Sequence, residues 1–192
     1  MNAIRSFIAI ELPVSIQNQL DKIIGQLKGP LTSAVRWVPA HNIHLTLKFL
    51  GDVSPGNMDM LMNILRAEVS RQKNFSISIG ELGAFPTPHR PRVLWIGVSA
   101  PPQLIALARL VEGETQKLGY AAEDRPFSPH LTLGRVSQNA SPLQVRQVAD
   151  ALAGMKVGSL GNADVREVVL FKSVLTPKGA EYSALLKVSL QP

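Results

Sequence analysis

The alternation of apolar and polar positions divides the chain into short strands and amphipathic helices. Phe7 to Leu12 is an apolar run of strand length, and Val14 to Leu27 carries Ile16, Leu20, Ile23, Ile24 and Leu27 at helical spacing. Gly29-Pro30 is a stop signal for that helix. Val35 to Val38 reads as extended, and Ile43 to Leu50 alternates as a strand, punctuated by Gly51-Asp52 and Ser54-Pro55-Gly56. Met58, Leu61, Met62, Leu65 and Val69 define a second helix. Phe75, Ile77 and Ile79 alternate with Ser76 and Ser78 as in a half-buried strand. The turn-rich segment Phe85-Pro86-Thr87-Pro88-His89-Arg90-Pro91 leads to a strand over Val93 to Val98. Leu104, Leu107, Leu110, Val111 and Leu118 predict a third helix, closed by Gly119. His130 to Val136 reads as a strand and Leu143 to Leu152 as a shorter helix. Val165 to Leu175 and Tyr182 to Leu190 read as two strands around a Thr176-Pro177-Lys178-Gly179 turn. Helices and strands mix without strict alternation, which predicts an α+β fold with largely antiparallel sheets. No linker divides residues 1–192, so one domain is expected.

Composition narrows the class. Of 192 residues, 45% are hydrophobic and 18% charged, too apolar for a disordered chain. No apolar run approaches the ~20 residues of a membrane span, and Glu11 and Pro13 interrupt the N-terminal apolar stretch too early for a secretory leader. Cysteine is absent, which removes disulfides, thiolate metal sites and cysteine nucleophiles together. The expected compartment is the cytoplasm. Lys and Arg number 20 against 14 Asp and Glu, a formal charge of +6, with a pI near 9.9. That balance favours a polyanionic partner, a nucleic acid or a phosphorylated small molecule.

One repeat changes the picture. Arg36-Trp37-Val38-Pro39 precedes His44-Leu45-Thr46-Leu47, and Arg125-Pro126-Phe127-Ser128-Pro129 precedes His130-Leu131-Thr132-Leu133. The same tetrapeptide thus recurs 86 residues on, from 44 to 130, and the chain reads as two related halves. Alternate side chains of a strand share a face. His44 and Thr46 therefore point together, as do His130 and Thr132, with the leucines turned to the core. An approximate two-fold would set the two His-Thr faces across one cleft. Two imidazoles near their ordinary pKa of about 6.5 can act as base and acid in one reaction. Threonine hydroxyls can hydrogen-bond phosphate oxygens without adding charge. A phosphodiester undergoing in-line displacement needs this pairing of functions. Either motif alone is an ordinary strand; the duplication carries the argument.

Other residues near the motifs have two readings each. Lys48 shares the parity of His44 and Thr46, which would add positive potential, or leave an exposed lysine. Strict alternation turns Arg135 toward the leucine side, whereas a bulge at Gly134 would bring it to the histidine face as a stabiliser of phosphorane charge. Phe127 and Trp37 precede the motifs in parallel positions; Phe127 is a candidate for stacking on a terminal base, and Trp37 reads as core. His89-Arg90-Pro91-Arg92 is either a basic contact for an RNA backbone or a solvated loop, and Glu123-Asp124 read as surface charges. His41-x-x-His44 with His130 has the composition of a zinc site. Strand positions three apart face opposite sides, however, and no acidic residue adjoins either motif in sequence, so no metal is expected.

These residues resemble the two-histidine (2H) phosphoesterases, most closely the LigT-like RNA 2′,3′-cyclic phosphodiesterases. The matching pieces are Arg5-Ser6-Phe7-Ile8-Ala9, Trp37-Val38, His44 to Gly51, Arg92-Val93-Leu94-Trp95-Ile96-Gly97, Arg125 to Arg135, and Leu170-Phe171-Lys172-Ser173 with Gly179 and Tyr182. The resemblance implies a bilobal, pseudo-two-fold fold of two antiparallel sheets with outer helices around a central cleft. It implies hydrolysis of RNA 2′,3′-cyclic phosphate ends to 2′-phosphomonoesters, and the reverse joining of ends through a 2′,5′ linkage. It assigns His44 as proton donor and His130 as proton acceptor, with Thr46 and Thr132 on the phosphate oxygens and no cofactor. The expected partner is RNA bearing a cyclic phosphate, tRNA fragments among the candidates, and the expected state is a monomer. A small cyclic nucleotide is the alternative substrate. A non-catalytic RNA-binding module is the alternative class, which loss of a motif His or Thr would signal; all four are present.

Overall fold

The computed structural model describes residues 3–31, 34–177 and 179–192. In chain order the elements are β1 (Ile4–Glu11), α1 (Val14–Leu31), β2 (Val35–Trp37), a 3-10 turn (Ala40–Asn42), β3 (His44–Val53), α2 (Pro55–Val69), β4 (Phe75–Thr87), β5 (Arg90–Val98), α3 (Pro102–Lys117), β6 (His130–Val136), α4 (Pro142–Gly154), β7 (Ser159–Val165), β8 (Glu167–Thr176) and β9 (Gly179–Ser189). The fold is α+β and antiparallel, as the patterning predicts. The two sheets are halves of one nine-stranded sheet, in the order β7-β4-β5-β6-β3-β1-β8-β9, with β2 added beside β6. The halves meet at β3 and β6 through the single pair Leu45↔Leu131. Reading outward from that seam, β3 corresponds to β6, β1 to β5, β8 to β4 and β9 to β7.

The two faces of the sheet differ. One side carries Ile8, Ile10, Leu45, Leu47, Ile77, Ile79, Leu94, Ile96, Leu131 and Leu133, which join helix residues such as Leu20, Leu61, Leu107 and Val148 in the main core. The other side holds a small aromatic cluster, Phe7, Ala9, Val169 and Phe171, with Tyr182 packed on it. Both leucines of each repeated tetrapeptide are therefore core, and each His-Thr pair faces away from the helices.

The element boundaries depart from the sequence reading where tertiary contacts outweigh local signals. Helix α1 continues through Gly29-Pro30 to Leu31 because Leu27 and Leu31, one turn apart, are both buried. Strand β3 continues through Gly51, which adopts φ 66° at a shift in register, Ser6 facing Gly51 and Phe7 facing Phe49. Strand β4 runs on through Phe85-Pro86-Thr87 to a two-residue turn at Pro88-His89, because pairing with β5 keeps the backbone extended. Strand β7 carries no sequence signal. Its Ser159-Leu160-Gly161-Asn162-Ala163-Asp164-Val165 is polar and buries only Ala163 and Val165, and it forms the sheet edge beside β4. The expected turn before β9 includes Lys178, which lies outside the described residues. Ser54 and Ser141 cap α2 and α4, the latter in a full capping box with Gln144.

Candidate active site

Strand pairing decides which side chains share the histidine face. Along β5, Gly97, Trp95 and Val93 alternate, so they point one way, and they stand opposite His130, Thr132 and Arg135. Thr132 and Arg135 are three residues apart where their partners are two apart, so a bulge at Leu133-Gly134 restores Arg135 to the histidine face. The same construction recurs on β3, where Glu11, Ala9 and Phe7 of β1 face His44, Thr46 and Phe49. His44 to Leu50 and His130 to Val136 consequently have one burial pattern, residue for residue. At the seam, the register of Leu45↔Leu131 turns His44 toward Thr132 and Thr46 toward His130. On an ideal antiparallel ladder this diagonal sets the two histidines about 7–8 Å apart, with their Cβ atoms somewhat closer.

The bulge overturns the expectation for Lys48. It faces Ile8 on the core side, is 2% exposed, and does not reach the cleft. Its Nζ lies 2.8 Å from Glu112 Oε2 and donates to the Ala121 carbonyl at 2.7 Å. The alternation that links Lys48 to His44 fails because Leu47 is an extra residue in the strand. The matching position on β6 is Gly134, where a Cβ would approach Val35 Cγ1 to 2.7 Å and Trp37 Cε3 to 3.1 Å. Trp37 accordingly packs on the core side, as expected.

Each imidazole is held in the same way. His44 Nδ1 lies 2.8 Å from the Asn42 carbonyl oxygen, and His130 Nδ1 lies 2.7 Å from that of Ser128. A carbonyl can only accept, so Nδ1 carries the hydrogen in both rings and Nε2 is the atom left to exchange a proton. Two like rings nonetheless sit in unlike surroundings. His44 stacks on Phe7 at 4.5 Å between centroids and meets the edge of Tyr182 at 5.3 Å. Burial pushes its pKa below 6.5, against the opposing pull of the Asn42 carbonyl. His130 instead meets Phe85 edge-on at 5.0 Å, and Phe85 leans on Trp95. Trp95 lies across Gly83, where a Cβ would sit 2.2 Å from the indole. Phe127 is half-buried and packs on the main core; the ring that touches His130 is Phe85.

The threonine hydroxyls of Thr46 and Thr132 have no protein partner among the described residues, leaving both free to meet a ligand. Arg135 is exposed on the histidine face of β6, and its charge acts on Tyr182 on β9 of the other half. Burial raises the Tyr182 pKa, and the charges of Arg135 and Arg5 oppose that rise. Glu11 is the cross-strand partner of His44, an acidic neighbour that linear sequence does not reveal. Its carboxylate is engaged by Lys187 at 2.5 Å, and the Lys187 pKa is raised by that contact first. His41 is exposed on the 3-10 turn, and among the described residues no three His, Cys, Asp or Glu side chains gather as metal ligands do. His89, Arg90 and Arg92 are exposed around the β4–β5 hairpin tip. Phe7, Trp95 and Tyr182 fall in the segments that carry the resemblance and Phe85 in the turn-rich segment, but none of the four has a site role in the sequence reading. Only their strand partners place them beside the histidines.

Paired imidazoles with free Nε2 atoms, flanked by two unpartnered hydroxyls and an arginine, make a site for acid–base chemistry on an anionic ester. The chain belongs to the LigT-like phosphoesterase family, which it matches twice, over residues 10–95 and 96–182. The second match begins 86 residues after the first, the same offset that separates His44 from His130. The chain is 35% identical over 180 residues to an RNA 2′,3′-cyclic phosphodiesterase of Methanothermobacter thermautotrophicus, covering 94% of this chain and 95% of that protein. It is 39% identical over 181 residues to an RNA 2′,3′-cyclic phosphodiesterase of Archaeoglobus fulgidus, covering 94% and 97%. Among solved structures, Escherichia coli LigT complexed with 3′-AMP superposes with a TM-score of 0.80 at 29% identity, covering 99% of each chain.

Proposed function

We propose that this protein hydrolyses 2′,3′-cyclic phosphate ends of RNA to 2′-phosphomonoesters by paired histidine catalysis. Water attacks phosphorus in line as His130 Nε2 takes its proton; the P–O3′ bond breaks as His44 Nε2 delivers a proton to O3′. Thr46 and Thr132 donate to the non-bridging oxygens, and Arg135 opposes the charge gathered on the phosphorane. The observation that carries this reading is the matched pinning of both Nδ1 atoms to backbone carbonyls, which leaves two Nε2 atoms for the substrate on one face. The names of the relatives in Methanothermobacter and Archaeoglobus supply the substrate class.

The assignment of His44 as acid agrees with its buried setting. A lowered pKa makes the imidazolium a stronger acid, and an anionic ester in the cleft favours the protonated form until transfer. Run backward, the same residues exchange roles and join ends through a 2′,5′ linkage. We take residues 1–192 as one catalytic unit of two similar lobes, acting as a monomer on RNA ends, tRNA fragments among them, without a metal. The test is a short RNA ending in 2′,3′-cyclic phosphate, incubated in excess EDTA with wild type, His44→Ala and His130→Ala. A 2′-phosphate product, with each folded variant slowed ~10²-fold or more, is the expected result. Absence of turnover by wild type overturns the reading.

A further inference from the structure

The sheet carries a second arginine in a position that the reaction above does not use. Arg36 of β2 is the direct cross-strand partner of Arg135 on β6, so both side chains leave the sheet on the cleft face. Both are exposed, and neither forms an ion pair with a carboxylate among the described residues. Like charges placed directly opposite on an antiparallel pair are destabilising, and no carboxylate among the described residues offsets this pair. Strand β2 is only three residues long, lies off the main path of the sheet and pairs with β6 alone. Its one exposed side chain is Arg36.

The pair also lies on one side of the reacting centre. Along β6, His130 and Arg135 are five residues apart with one bulge, which separates their Cα atoms by about 13 Å. Strand β2 lies on the edge of β6 that also meets β3, so Arg36 stands on the seam side of Arg135, with Val93 of β5 on the other side. A cyclic phosphate held between His44 and His130 does not extend to Arg36. The part of an RNA end left to meet the pair is the chain on its 5′ side.

We propose that Arg36 and Arg135 form a two-arginine clamp for the backbone phosphate upstream of the reacting nucleotide, which makes the enzyme prefer an RNA end over a free cyclic nucleotide. The inference rests on the phosphodiesterase reading above and names the part of the substrate it recognises. An anionic phosphodiester between two guanidiniums converts a repulsive pair into a bridged one, and each guanidinium offers a planar fork of donors to it. Arg135 serves both the phosphorane and the clamp; Arg36 serves the clamp alone.

The experiment compares kcat/KM on a 2′,3′-cyclic nucleoside monophosphate, which has no upstream phosphate, with that on an RNA trinucleotide ending in a 2′,3′-cyclic phosphate. Wild type, Arg36→Ala and Arg36→Lys are each measured across a salt series. Arg36→Ala is expected to lower kcat/KM on the trinucleotide about tenfold, mainly through KM, the worth of one charge-assisted contact. The mononucleotide rate should stay within about twofold, and the salt slope for the trinucleotide should flatten by about 0.7, one single-strand phosphate contact. Arg36→Lys should recover the salt slope but only part of KM, because an ammonium lacks the fork. Thermal melting of Arg36→Ala should be unchanged or raised, since the substitution removes a repulsion. Equal losses on both substrates, or no loss on the trinucleotide, would overturn the clamp while leaving the phosphodiesterase reading intact. Turnover of neither substrate by wild type would overturn both.

Discussion

Replacing Lys48 with methionine separates the two places this lysine can be imagined, the cleft and the core. In the structure its ammonium is buried, contacts both Glu112 oxygens at 2.8 and 3.0 Å, and donates to the Ala121 carbonyl at 2.7 Å. Lys48→Met keeps the volume of the stem, strips Glu112 of its counter-charge and orphans that carbonyl. Removing one partner of a fully buried pair costs about 3–5 kcal/mol. Glu112 is a quarter exposed and keeps hydrogen bonds from Gln116 and from the Glu123 backbone N–H, so the cost here should be about 2–4 kcal/mol. The pH dependence follows. Burial pushes the Glu112 carboxyl up, but hydrogen bonds from Lys48, Gln116 and Glu123 and the Lys48 charge outweigh it, leaving the pKa below 4.5. A depressed carboxyl stabilises the fold above its unfolded pKa, and this contribution is lost as pH falls through the folded value. The gap in stability between wild type and Lys48→Met should therefore be full at pH 7 and shrink in acid. Urea unfolding at both pH values measures it, with kcat/KM on a cyclic phosphate recorded under native conditions. A Lys48→Met variant that keeps its stability but loses activity tenfold would refute the buried role and place the lysine on the substrate.

Further outcomes follow from the same contacts. If His44 is the acid, kcat/KM should fall as pH rises through a value below 6.5, and Phe7→Ala, by letting water reach the ring, should move that limb upward; a limb that instead rises with pH and shifts in Phe7→Ala would make His44 the base. Gly83→Ala should displace Trp95 from the cleft floor and cost about 1–3 kcal/mol, seen as loss of thermal stability together with activity; equal stability would contradict the packing. Ser141→Ala should cost about 1 kcal/mol through the lost cap of α4 and leave turnover unchanged, measured by urea unfolding and an activity assay.

Much of this protein can be read from local pattern. The order of helices and strands, the antiparallel α+β class, the duplicated His-x-Thr-x strands and the facing of His44 with Thr46 and His130 with Thr132 all follow from periods of 3.6 and 2, which neighbouring residues set among themselves. The leucines between them report which side is core, since a half-buried strand must turn its apolar residues inward. Strand parity is nonetheless only as reliable as the ladder is regular. The bulges at Leu47 and Leu133 are invisible in the chain because a bulge is a relation between two strands, one residue more on one side than on the other. They send Lys48 into the core and bring Arg135 onto the cleft face, the opposite of strict alternation in both cases. The surroundings of the histidines are also tertiary. Phe7, Phe85 and Tyr182 come from three strands far apart in sequence, and Arg36 meets Arg135 only because β2 adds to the side of β6. The sequence by itself determined which histidines and threonines share a strand face and on which elements they stand, because those are properties of short segments. Tertiary structure decided which charges stand on the histidine face and that His44 is desolvated, because electrostatic environment is set by whatever packs nearby, however distant along the chain.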